Sequence, residues 1–169
     1  AALIESSDDA IISKDLNGII TSWNNGAQRI FGYTAAEIVG HSVLELIPSD
    51  RRHEEPGILA QLRSGRRIDH YETVRRRKDG RDVEVSLTVS PVKDDTGKII
   101  GASKIARDIS ERKRSEMVQQ ALYELASTVN SAVALPDIYD AAINAVCRCQ
   151  YAQRAAILLY DAEGIMRFH

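Results

Sequence analysis

Arg81-Asp-Val-Glu-Val-Ser-Leu-Thr-Val-Ser-Pro-Val-Lys93 alternates apolar and polar side chains residue by residue. Val83, Val85, Leu87 and Val89 fall on one side, and Glu84, Ser86, Thr88 and Ser90 on the other. This is the period-2 pattern of a half-buried antiparallel strand whose odd positions face a core. Turn sequences flank it, Arg77-Lys-Asp-Gly80 before and Asp94-Asp-Thr-Gly97 after, so hairpins join it to a strand on either side. A turn of the same kind, Asp15-Leu-Asn-Gly18, lies near the start. Together the turns predict five strands, at about 10–14, 18–23, 67–77, 81–93 and 98–109.

Between the second and third strands the sequence carries helical signals instead. Asn25 caps a helix that runs through Phe31 and stops at Gly32. Thr34 opens a second, with Glu37 three residues on, as in a capping box. Ser49 or Asp50 opens a third that ends at Arg63 before Ser64-Gly65, and Pro56 one turn in makes it start late or kink. Two strands, a helical insert and three longer strands make an α+β fold, with short helices on one face of a five-stranded antiparallel sheet. A small molecule would sit between the helices and the sheet. Its walls would be Val85, Leu87 and Val89, then Ser103 and Ile105 if the odd positions of the last strand also face inward, with Trp23, Tyr71, Ile58 and Leu62 closing the rest. The same side chains can equally fill one another as a core.

After Gly97 the chain runs from the apolar strand Lys98–Asp108 straight into a charged helix with no flexible spacer. A displacement of the sheet is therefore carried into the helix. Asp108 stands beside Arg107 and near Arg112 and Lys113, placed to hold the strand–helix angle by an ion pair or a helix-terminal interaction, and Ser110 can cap the helix. Arg107, Asp108, Ser110 and Arg112 are the candidate relay residues. Further on, Val118, Leu122, Leu125 and Val129 recur at the a/d spacing of a coiled coil. Two heptads are too short to hold alone, so a parallel homodimer would draw on the first domain as well. Past Val133-Ala-Leu-Pro136, Asp137–Gln150 reads as an amphipathic helix, Arg154–Asp161 as a buried strand, and Ala162-Glu-Gly164 as a turn into another.

The 169 residues carry a formal net charge of -2, with 44% hydrophobic and 27% charged side chains. That balance favours neither nucleic acid nor a membrane surface as a partner. No apolar run reaches the length of a membrane span, and a cytoplasmic location is expected. The basic run Arg75–Arg81 straddles a hairpin without interleaved aromatics and reads as solvated charge. Cys147 and Cys149 lack further ligands at metal spacing and read as reduced thiols on a helix. Phosphate loops, nucleophile elbows and zinc-protease motifs are absent. Adjacent acids such as Glu54-Glu55 diverge on a helix instead of converging on one atom. The segment is expected to be non-catalytic, and its start at Ala1 reads as a piece of a longer protein.

Asn24-x-x-Ala27-x-x-x-Phe31-Gly32-Tyr33-x-x-x-Glu37-x-x-Gly40, then Arg77-Lys-Asp-Gly80, then Arg107-Asp108-Ile109-Ser110-Glu111-Arg112 follow in an order that resembles the motif series of a PAS (sensory-box) domain over about residues 1–116. The resemblance implies a PAS sensor at 1–110 and a signalling helix or coiled-coil linker at 111–133. Residues 134–169 resemble the opening of a GAF domain, a truncated α/β segment that would close no pocket. Asp108-Ile109-Ser110 resembles the family's Asp-Ile-Thr signalling motif. The implied function is a sensory input that detects a small molecule or protein and relays the signal through the C-terminal helix to an output domain in cis. By family habit that output is the histidine kinase of a two-component system or a cyclic-nucleotide enzyme. One alternative is a haem-based gas sensor. Among the candidate axial ligands His41, His53 and His70, His53 lies where haem PAS sensors carry their proximal ligand. Glu54, Glu55 and Pro56 follow it, however, and Tyr71 stands where those sensors place an Arg, which weighs against haem. The other alternative is a ligand-free dimerisation scaffold. Residues 1–146 hold no thiol, which excludes cysteinyl-flavin photochemistry. The expected cofactor is none or an unidentified small molecule, with no metal, nucleic acid or membrane contact.

Overall fold

The computed structural model describes residues 2–131, 135–149, 158–160 and 166–168. The chain divides into two units, Ala1–Ser110 and Glu111–His169, each taken by itself below.

In the first unit each glycine turn closes as a hairpin with its glycine at positive φ, Gly18 at 82°, Gly80 at 82° and Gly97 at 84°. An aspartate carboxylate at each turn accepts the backbone N–H groups that follow it, as Asp15 does from Asn17 and Ile19 at 2.9 and 2.8 Å. The hairpins deliver β1 (Ala10–Asp15), β2 (Ile20–Trp23), β3 (Ile68–Arg76), β4 (Asp82–Lys93) and β5 (Ile99–Asp108). They form one antiparallel sheet in the order β2-β1-β5-β4-β3. The first hairpin therefore attaches to the last strand, and β5 lies at the centre.

After a first turn of helix, α1 (Ala2–Glu5), the helical insert contributes α2 (Asn25–Phe31), α3 (Ala35–Ile38) and α4 (Glu54–Arg63). The cap of α2 is Asn24, one residue earlier than the sequence suggested. Its Oδ1 accepts from Ala27 N–H and from Ile11 N–H of β1, both at 2.9 Å, so one side chain closes the helix and ties it to the sheet. A Cβ on Gly26 would stand 2.2 Å from the Asp9 carbonyl oxygen, so only glycine permits that approach. The capping box of α3 forms, with Glu37 accepting from Thr34 N–H at 2.9 Å. The third helix does start late: a 3-10 turn at Ser49–Arg51 precedes α4, and Pro56 occupies its first turn, where a missing N–H costs nothing.

Two bulges decide which side chains face the helices. Between Val92 and Lys93 the β4–β5 register shifts, from Lys93 opposite Ile99 to Val92 opposite Gly101. Without that extra residue Ser103 and Ile105 would face inward, as the strand alternation suggests. With it Ala102, Lys104 and Ala106 face the core, while Ile105 is 39% exposed and Ser103 shares the outer face. In β3 the register shifts between Ile68 and Tyr71, where His70 takes φ 51°. Ile68 packs on the core above the bulge, and Thr73 and Arg75 are buried below it.

In the second unit, α5 (Ser110–Ser131) begins one residue after β5 ends, and α6 (Leu135–Arg148) follows. Glu124 of α5 pairs with Arg148 of α6. On α5, Leu122 is 60% exposed, Val118 and Leu125 are half-buried, and the Val129 side chain lies outside the described residues. β6 (Leu158–Tyr160) pairs antiparallel with β7 (Met166–Phe168). The rest of the expected strand 154–161, its turn and Gln150 lie outside the described residues.

Candidate functional site

Val83, Val85, Leu87 and Val89 of β4 form the apolar part of the interior with Ile58 and Leu62 of α4, all within one buried cluster. Trp23 belongs to the same cluster, its ring 5.7 Å from that of Phe31 and its Nε1 donating to the Tyr33 carbonyl at 2.9 Å. Of the expected pocket walls, the structure gathers Trp23, Ile58, Leu62, Val85, Leu87 and Val89 and turns Ser103 and Ile105 away. Tyr71 stands opposite Leu87 but remains 38% exposed, because β3 is the edge strand and Tyr71 follows its bulge.

Beside these apolar residues the interior is charged. Lys14 of β1, Arg75 of β3, Lys104 of β5 and Glu55 of α4 are each at most 5% exposed. The Glu54 side chain is buried to the same degree. The two acids that open α4 do diverge, but both go inward. Glu55 Oε1 takes the Lys14 ammonium, and Glu54 Oε2 accepts from Arg75 Nη1 at 2.9 Å. Thr73 Oγ1 donates to Glu54 Oε1 at 2.9 Å, and Arg75 Nη1 also reaches Thr73 Oγ1 at 3.1 Å and the Val74 carbonyl at 2.8 Å. Arg51, half-exposed at the rim, lies 3.5 Å from Glu54. Arg75 Nε, Arg75 Nη2 and Glu55 Oε2 are buried without a partner among the described residues. Lys104 takes part in none of these pairs.

The electrostatics follow from the geometry. Burial, reinforced by Arg75 and Lys14, brings the Lys104 ammonium down to about 7, against the pull of Glu55 and Glu54. Burial works to raise Glu54, but hydrogen bonds from Thr73 and Arg75 outweigh it and hold the carboxylate below its usual range. Three basic groups face two carboxylates, so the cluster carries one surplus positive charge when Lys104 is protonated. Such an arrangement can attract an anion or exchange a proton near neutral pH. Among the described residues no cluster of three or more His, Cys, Asp or Glu is set to hold a metal.

Sequence reasoning missed these residues for identifiable reasons. Arg75 belongs to the basic run that reads as solvated charge, and the structure corrects that reading, since it is 1% exposed. Lys104 sits between Ala102 and Ala106, whose small side chains leave room for it, but only the bulge puts that face inside. His53, the alternative haem ligand, is exposed at the start of α4, its Nδ1 donating to the Asp50 carbonyl at 2.9 Å. His70 is exposed on its bulge.

The candidate relay residues lie at the end of β5 and the start of α5. Arg107 pairs in a fork with Asp9, at 3.0 and 2.8 Å. Arg112 pairs with Glu116 at 2.6 Å. Asp108 Oδ1 accepts from Ser110 N–H at 2.8 Å, satisfying a free donor at the start of α5. Ile109 between them is buried, and its N–H donates to the Glu84 carbonyl at 3.0 Å. Asp108, Ile109 and Ser110 are thus held by two hydrogen bonds.

The family profile described as the PAS fold matches residues 1–109. Among curated proteins the chain is similar to two-component system protein A of Emericella nidulans, 35% identical over 127 residues, covering 73% of this chain and 18% of that protein. It is also similar to the signal transduction histidine-protein kinase AtoS of Escherichia coli, 30% identical over 114 residues, covering 68% of this chain and 18% of that protein. The chain therefore spans less than a fifth of the length of either relative. Among solved structures, the PAS domain of a Colwellia psychrerythraea protein superposes with a TM-score of 0.60 at 27% identity, over 65% of this chain and 93% of that one. An RNA-binding Light-Oxygen-Voltage receptor superposes with a TM-score of 0.62 at 24% identity, over 77% of this chain and 37% of that one, a likeness of fold alone.

Proposed function

The chain belongs to the PAS-fold family, and from that premise we propose that residues 1–110 form the non-catalytic sensory input of a multidomain signalling protein. The input reads a small molecule in the interior between the sheet and α4 and passes the result through β5 and the Asp108-Ile109-Ser110 corner into α5. One observation carries this reading: β5 bears the buried Lys104 at its middle and, four residues on, the carboxylate that holds the first turn of α5. An event at Lys104 is thus covalently continuous with the start of the helix.

The output lies in cis outside this chain. The names of the two curated relatives support a two-component histidine kinase in that role, and a cyclic-nucleotide enzyme is the alternative output. Residues 134–169 open the next domain, of GAF type. The exposed Leu122, with Val118 and Leu125, is the seam of a cytoplasmic homodimer. Sedimentation of Leu122→Glu tests that seam: a shift from dimer to monomer supports it, and an unchanged dimer removes it.

The relay is tested in the intact signalling protein. Asp108→Ala should leave the domain folded and change the unstimulated output several-fold, whereas Asp108→Asn, which keeps an oxygen acceptor for Ser110 N–H, should restore wild-type output. If Asp108→Ala folds and its output matches wild type, the corner is not a relay.

A further inference from the structure

Arg75 divides its donors unequally. Nη1 is saturated by Glu54, Thr73 and the Val74 carbonyl, which fixes the plane of the guanidinium. Nε and Nη2 are buried and unpartnered. Those two atoms form one edge of the guanidinium, whose parallel N–H groups match the two oxygens of a carboxylate. An unsatisfied buried donor is costly, and more so where it is charged, so a fixed guanidinium whose outer edge has no partner among the described residues is an arrangement that a ligand stabilises. Glu55 Oε2, also buried and unpartnered, supplies an acceptor in the same charged cluster.

We propose that the interior of this domain binds a small monocarboxylate, its two oxygens on the Arg75 Nε/Nη2 edge and its charge opposite the Lys104 ammonium. The proposal rests on the sensory reading above and names the ligand class of that site. Its charge follows from the groups that face one another there: Lys14 on β1, Arg75 on β3 and Lys104 on β5 against Glu54 and Glu55 on α4, with Arg51 at the rim. Arg51 is offset by Asp50 at 4.0 Å, so one negative charge balances the buried groups, whereas a doubly charged phosphate overshoots them. A hydroxyl group beside the carboxylate could donate to Glu55 Oε2 without changing the ligand's charge, so short 2-hydroxy acids should bind better than acetate. Because the bound anion favours protonated Lys104, affinity should fall as pH rises through about 7 and beyond.

The test uses the 169-residue chain with acetate, glycolate and lactate at constant ionic strength, and sodium chloride and phosphate as controls. The readouts are the melting midpoint and the NMR signal of the Arg75 Nε–H. Saturable stabilisation by the carboxylates, with movement of that signal, is expected. Arg75→Lys keeps a charge against Glu54 but has no fork, so it should bind at least about tenfold more weakly. If Arg75→Lys does not fold, Lys104→Gln replaces it, and the expected result is weaker binding with no pH dependence near 7. The proposal is overturned if none of the carboxylates moves the Arg75 signal, if chloride acts as strongly as they do, or if the folded variant binds like wild type. Binding that stands while Asp108→Ala leaves output untouched would remove the relay and spare the site. A working relay without carboxylate binding would do the reverse.

Discussion

β4 and its neighbours enclose the same interior by different means. Val83, Val85, Leu87 and Val89 meet Ile58 and Leu62 through apolar surface, and each such side chain contributes roughly 1.5–3 kcal/mol when fully buried. Across the flanking strands α4 instead sets Glu54 and Glu55 against Arg75 and Lys14, with Lys104 nearby. There the cost of removing charges from water offsets most of their attraction, so apolar residues of the same volume would serve stability as well or better. Stability accounts for the apolar side of the interior and not for the charged one.

That contrast can be broken, most severely by unpairing a buried charge. Glu55→Leu leaves the Lys14 ammonium alone at 2% exposure and should cost about 3–5 kcal/mol in urea unfolding. Adding Lys14→Met to it should recover most of that loss, and a double variant as unstable as the single one would mean that the pair itself is needed for folding. On the apolar side, Leu87→Ala should cost about 2–5 kcal/mol, through lost transfer energy plus the cavity left behind. A loss well under 1 kcal/mol would show that the site collapses freely.

Smaller effects sharpen the comparison. Folding lowers Lys104 from its usual range to about 7. Above that pH, and below the value for the unfolded chain, the unfolded state binds the proton that the folded state has released, so stability rises with pH. It is lost again as pH falls back toward about 7. Lys104→Met removes this contribution, so its advantage over wild type should be largest at pH 6 and shrink between pH 7 and 9. A constant difference across that range would mean that Lys104 does not titrate there. At the surface, Arg107→Ala breaks the fork with Asp9, but Arg107 is 69% exposed and the expected loss is about 0–1 kcal/mol. A loss above about 2 kcal/mol would show that exposed pairs also hold this sheet together.

Much of the fold was legible because turn chemistry is local. Asp15–Gly18, Arg77–Gly80 and Asp94–Gly97 placed all five strands within a residue or two of where they lie. Phe31-Gly32 and Thr34–Glu37 likewise fixed a helix end and a capping box. The apolar side walls could be read from the alternation along β4. The charged cluster could not, because its members come from β1, β3, β5 and α4, and register alone brings them together. The extra residue between Lys93 and Gly101 decides whether Ser103 and Ile105 or Ala102 and Lys104 face inward. Alternation within β5, where both faces carry apolar residues, does not signal it.

The corner at Asp69-His70 has a similar consequence for tolerance of change. The tight turn after Arg77 sets the parity of everything from Tyr71 to Arg76, while the exit from α4 independently points Ile68 inward. Two anchors of opposite phase are reconciled by a single spare amino acid whose backbone takes the left-handed conformation. Shortening the chain there by one position would let both anchors face inward in an unbroken ladder, whereas removing two would force a choice between an inward aliphatic plug and an inward guanidinium.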